Sequence, residues 1–130
     1  MILIEHPEEI ILAKGLKAIG YWRSDERPWL PNPQDFVDPD WTGTEKELVI
    51  YYLRHGHVIA QWKGFSFCRF GCLPAFDENM GSTCMADRTY VWPEGFAHYV
   101  EIHNVRPPKE FVEHVLSRIQ RPSFRAPREP

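Results

Sequence analysis

The chain has 130 residues, 43% hydrophobic and 14% aromatic, with 15 Lys and Arg against 18 Asp and Glu for a net charge of −3. That length suits one domain with a genuine core, and the aromatic content argues against disorder. Residues 121–130 hold three Arg and one Glu, leaving −5 on residues 1–120. A body of that sign argues against a general nucleic-acid binder, because phosphate recognition wants positive charge.

The opening Met1-Ile2-Leu3-Ile4 is cut short by Glu5, His6 and Pro7, and no later apolar run approaches spanning length, so neither signal peptide nor membrane span is expected. Three cysteines, an odd number, without an export signal point to reduced thiols and a cytoplasmic setting. Pro7-Glu8-Glu9 reads as a helix start, with Ile11, Leu12, Leu16 and Ile19 at helical spacing and Gly20 as its stop. Residues 21–43 carry four prolines among Tyr21, Trp22, Trp29 and Trp41, the composition of a long, ordered loop.

Thr44-Glu45-Lys46-Glu47 matches a capping box, predicting a helix that ends near Gly56; the apolar run 48–53 leaves a strand as the alternative. Arg54-His55-Gly56 copies the triplet of the histidine phosphatases, but only 74 residues follow it. A basic last turn and a glycine cap are sufficient explanation, and the phosphatase reading is rejected. His57 to Phe70 reads as a β-hairpin turning at Lys63-Gly64, with Phe65 and Phe67 on the return arm. Residues 71–87 read as a loop and Thr89 to Trp92 as a third strand. One helix is expected from Pro93 to about His103 and another from Pro107 to about Gln120. The predicted architecture is a single α+β domain over residues 1–120, a small antiparallel sheet of about three strands packed with about four helices. Residues 121–130 form a loose basic, Pro-rich tail.

The chemistry-bearing residues concentrate in the middle of the chain. Cys68 and Cys72, separated by three residues, precede His98 and His103 on a helix, the donor set of a tetrahedral zinc site, with Cys84 able to stand in for a histidine. The 25 residues between Cys72 and His98 are about twice the spacing of a C2H2 finger. Five residues along a helix rotate a side chain by roughly 140°, so the two imidazoles converge only if the helix end unwinds. Packing alone is the competing explanation, since free cysteine behaves as a small hydrophobe. Glu94 and Glu101 flank His98 at helical spacing and are candidates to orient it, and Glu110 is similarly placed to meet His114. Cysteine nucleophilic catalysis would need an orienting third group such as Asp77, Asp87 or Asn104, and the spacing selects none.

Cys68-Arg69-Phe70, Gly81-Ser82, Tyr90-Val91-Trp92-Pro93-Glu94-Gly95-Phe96-Ala97-His98-Tyr99-Val100, His103, Val105 and Pro108-Lys109-Glu110-Phe111-Val112 together resemble a group of small bacterial proteins of uncharacterised function. In that group a cysteine-bearing strand precedes a Trp-Pro-Glu-Gly-x-Ala-His-Tyr helix. The resemblance covers the C-terminal half, with a weaker likeness at Gly20-Tyr21-Trp22, and implies a bacterial, cytoplasmic protein without implying a mechanism. Two functional classes follow from the residues. One is a non-enzymatic accessory protein that offers Trp22, Trp29 and Trp41 to a protein partner. This binding role, without catalysis, is the expected function, and the alternative is a small zinc protein, structural or hydrolytic. Exposed tryptophans favour the first, and convergent cysteines and His98 favour the second.

Overall fold

The computed structural model describes residues 2–4, 15–25, 27–62, 68–72 and 82–120. Five short strands form one mixed sheet: β1 (Ile2–Ile4), β2 (Lys17–Ala18), β3 (His57–Trp62), β4 (Thr83–Ala86) and β5 (Tyr90–Pro93), in the order β1-β3-β4-β5-β2. The central β3, β4 and β5 pair antiparallel, and the edges β1 and β2 add on in parallel. Three α-helices are described, α1 (Thr44–Arg54), α2 (Phe96–His103) and α3 (Lys109–Ile119). The predicted α+β class holds, while the predicted three-stranded antiparallel sheet is only the centre of a wider mixed one.

Period-two alternation sends the sheet's side chains to two cores. Met85, Tyr90 and Trp92 face the helices, in a cluster with Val49, Leu53, Phe96, Val100, Phe111 and Val115. Cys84, Ala86, Val91 and Ala60 face the other way, under Leu16 and Tyr21. Trp92 is fully buried and its indole N–H donates to the Leu53 carbonyl at 3.0 Å, which ties the sheet to the end of α1. α1 packs against both α2 and α3. Gly56 permits that approach, because a Cβ there would lie 2.5 Å from the Trp92 ring.

Several expectations are corrected. Most of the first predicted helix lies outside the described residues, but its end, Lys17–Ala18, is strand β2. The left-handed φ of +64° at Gly15 is incompatible with a continuing helix, and the backbone is satisfied by Lys17 N–H to Thr89 O at 2.9 Å and Ile19 N–H to Val91 O at 3.0 Å. Thr44 does not cap α1. It is the first helical residue, preceded by Gly43 with φ +92°, and no side-chain cap bond forms. The run 48–53 is helix, with Val49, Tyr52 and Leu53 on its buried face. The partner of β3 is β4, within the segment read as loop, and residues 68–70 form a turn instead of the return arm of a hairpin. Gly71, with φ +80°, closes that turn by donating its N–H to the Cys68 carbonyl at 3.0 Å. Lys63, Gly64, Phe65, Phe67, Asp77, Gly81 and residues 121–130 lie outside the described residues.

Candidate metal centre

Cys68, Cys72, His98 and His103 converge where the Cys68–Gly71 turn meets the C-terminal end of α2. One donor atom from each lies within 4.8 Å of all the others. The His103 Nε2 sits 3.4 Å from Cys68 Sγ and 3.2 Å from Cys72 Sγ. Tetrahedral bonds of about 2.3 Å to sulfur and about 2.0 Å to nitrogen hold ligand atoms roughly 3.5 Å apart, so a small inward adjustment fits the set around one zinc ion. Cys68 and His98 are buried, while Cys72 and His103 are half-buried.

The convergence depends on how α2 ends. Asn104 follows the helix in the left-handed region, with φ 51°, and its N–H reaches back five residues to the Tyr99 carbonyl. Val105 N–H donates to the same carbonyl at 3.1 Å. An i to i+5 closure is the wide π-type turn. It brings side chains five apart towards one side, and the His98 and His103 rings lie 5.2 Å apart between centroids. The unwinding that the sequence requires is therefore present. Asn104 is held by its own amide, which donates to the carbonyls of Asp38 at 3.0 Å and Trp41 at 3.1 Å, while its Oδ1 accepts from Lys46.

Surrounding groups fix the donors. The Phe70 ring stacks on His103 at 4.2 Å and 11°. Phe70 N–H donates to Cys68 Sγ at 3.4 Å. Arg69 N–H donates to the Tyr99 hydroxyl at 2.9 Å, locking the turn to α2. Burial pushes the Tyr99 hydroxyl up to about 12, with the two cysteines adding to the effect against the Arg69 amide. Burial, with His98 nearby, pushes His103 below its ordinary value and favours the neutral imidazole that a metal requires.

The other sequence candidates sit elsewhere. Cys84 is on the opposite face of the sheet, its Sγ 3.0 Å from the Tyr21 hydroxyl, and is not in the four-residue cluster. Glu94 Oε1 accepts from Thr83 Oγ1 at 2.8 Å and from Ser82 N–H at 3.2 Å, bracing the start of β4. Glu101 forms a two-bond ion pair with Arg54, at 2.8 and 3.3 Å, and Arg54 holds its carboxyl below the ordinary range. Trp22 packs against Phe36, Phe96 and Tyr99, and Trp41 is buried with its indole donating to Glu45 at 2.7 Å. Trp29 alone of the three stands out, 66% exposed.

The sequence reading missed a second buried polar cluster. Asp87 accepts from the Tyr52 hydroxyl, from the backbone N–H of Tyr90 at 2.7 Å and Thr89 at 2.9 Å, and lies 2.7 Å from His114 Nε2. His114 therefore pairs with Asp87, and Glu110 turns to Lys17 and Tyr90. Burial raises the Asp87 carboxyl, but the bonds from Tyr52, Tyr90, Thr89 and His114 outweigh it and leave the group below its ordinary value. The turn-forming Asp87 ahead of the strand was the available sequence signal, and in the structure Arg88 of that turn takes φ 86°.

No protein-family model matches the chain, nor does any curated protein or solved structure. Among the described residues no helix is long and apolar enough to cross a membrane.

Proposed function

We propose that this is a small zinc-binding protein in which a Cys2His2 centre clips the Cys68–Cys72 segment to the end of α2. The observation that carries the reading is the mutual approach of four soft and borderline donors from two separate elements, all within 4.8 Å. Four protein ligands fill a tetrahedral shell, which supports a structural site over a hydrolytic one that keeps a position open for water. Elemental mass spectrometry of protein purified without a histidine tag, with a thermal melt in the presence and absence of chelator, tests it. One zinc per chain and a lower melting temperature after chelation are expected. Metal-free protein that takes up no zinc and melts alike in both conditions ends the reading.

The proposed role of such a centre is to hold a binding surface in shape, not to catalyse. One observation favours a protein partner: Trp29 lies in a loop closed by Arg23 N–H to Pro31 O at 2.8 Å and Arg23 Nε to Leu30 O at 3.1 Å. An exposed aromatic on a pre-ordered loop is an inexpensive anchor for a partner, because little entropy remains to be lost. Of the three tryptophans, Trp29 alone is kept in this proposal, since Trp22 and Trp41 serve the core. A cytoplasmic setting remains part of it, because the centre needs reduced thiols.

A further inference from the structure

We propose that Cys68 and Cys72 are an oxidation site, in which hydrogen peroxide joins the two metal-ligand thiolates as a disulfide and the zinc ion leaves. This rests on the metal reading above. Both sulfurs approach one atom, His103 Nε2, at 3.4 and 3.2 Å, and lie within 4.8 Å of each other. Only the short Cys68–Gly71 turn separates them. Pairing requires these sulfurs to close from within 4.8 Å to the bond length of about 2.05 Å.

Burial sets the order of events. Cys68 is 4% exposed, whereas Cys72 is half-buried and is the sulfur a small oxidant reaches first. The Cys72 sulfur attacks one peroxide oxygen and the O–O bond breaks, giving a sulfenic acid and hydroxide, which takes a proton and leaves as water. The Cys68 sulfur then attacks the sulfenyl sulfur. The S–S bond forms, the S–O bond breaks, and a second hydroxide takes a proton and leaves as water. Two electrons from the sulfurs have reduced peroxide to two waters, and zinc departs as the unchanged dication because a disulfide is a poor ligand. Cys84 takes no part. It is fully buried on the other side of the sheet, beside the Tyr21 hydroxyl.

The test is a peroxide titration of the zinc-loaded full chain, reading thiols after denaturation, zinc release with a chromophoric chelator, and peptides by mass spectrometry. Thiols should fall from three to one, with one zinc released per disulfide formed. Trypsin cuts after Arg69, between the two cysteines, so the product should appear as two peptides held together until a dithiol is added. Cys84→Ser should leave the yield unchanged, and Cys72→Ser should abolish it. Loss of the Cys84 thiol, sulfinic acid on Cys72 with Cys68 still reduced, or no reaction at excess peroxide would overturn the proposal. Protein that binds no zinc defeats only the metal reading. The same titration on that metal-free chain still decides whether Cys68 and Cys72 pair.

Discussion

Two buried polar clusters flank the helical core, and they are completed in different ways. At Asp87 the protein supplies every partner itself: two backbone amides, a phenol and an imidazole surround one carboxylate at hydrogen-bonding distances. At Cys68, Cys72, His98 and His103 the donors face one another, and the sulfur–imidazole contacts of 3.2 and 3.4 Å are weak substitutes for a strong bond. A satisfied carboxylate explains its own burial. Two thiols and two imidazoles at ligand spacing are a set that could hold one metal ion, and the zinc proposal rests on it.

The largest separation between the clusters should come from removing a metal ligand. Cys68→Ser or His103→Ala should abolish stoichiometric zinc. At free zinc a thousandfold above its Kd this forfeits about 4 kcal/mol of stability, measured as the difference between melts with zinc and with chelator. Asp87→Ala should cost about 3 kcal/mol by leaving buried donors without their acceptor, and chelator should not change that loss. If the Asp87→Ala penalty instead vanished in metal-free protein, the two clusters would be one cooperative unit.

Acid should separate them by pH. The Asp87 carboxyl lies below its ordinary value in the folded protein, so its contribution is fully present above the unfolded value of 3.8 and is lost as pH falls through the lower folded value. The depressed His103 works in the same direction from a higher starting point: its contribution is present above the unfolded value of 6.5 and is lost as pH falls through its lower folded value. With metal bound, protons also compete for the cysteines, so zinc release should precede acid unfolding. A titration followed both by zinc release and by circular dichroism should show two steps, and a single coincident step would contradict the separation.

A smaller effect is expected at Asn104, which touches no donor of the centre in the contacts described above. Asn104→Ala removes two amide bonds and strains the left-handed position, for a cost of about 2 kcal/mol. Because this residue holds the wide turn that brings His103 towards His98, zinc affinity should also fall about tenfold, in line with the usual effect of residues that orient ligands. Trp29→Ala should be the smallest, within about 0.5 kcal/mol in stability, while weakening any partner that docks on the loop.

Much of the centre was readable because ligand chemistry is carried by residue type. Cys68, Cys72, His98 and His103 stand out in the sequence whether or not their geometry is known. The helices α2 and α3 and the strands β3 and β5 were also legible, from residue alternation and from prolines at helix starts, whereas α1 was expected from a capping box that does not form, with a strand as its alternative. What stayed hidden depended on contacts distant in sequence. β4 is four residues long and gains its pairing from strands on both sides, so no local pattern marks it. β2 is two residues held by backbone bonds to Thr89 and Val91, an edge that propensity cannot announce. The five-residue histidine spacing argued against convergence on a regular helix. The wide turn at Asn104 removes that objection, and it is fixed by carbonyls from residues 38 and 41.

X-ray absorption at the zinc edge of the purified protein tests the central claim most directly. The account predicts a shell of two sulfurs at about 2.3 Å and two imidazole nitrogens at about 2.0 Å, and no stoichiometric zinc to read in a Cys68→Ser, Cys72→Ser double variant. A shell of oxygen and nitrogen alone, or no zinc in the protein at all, would contradict it.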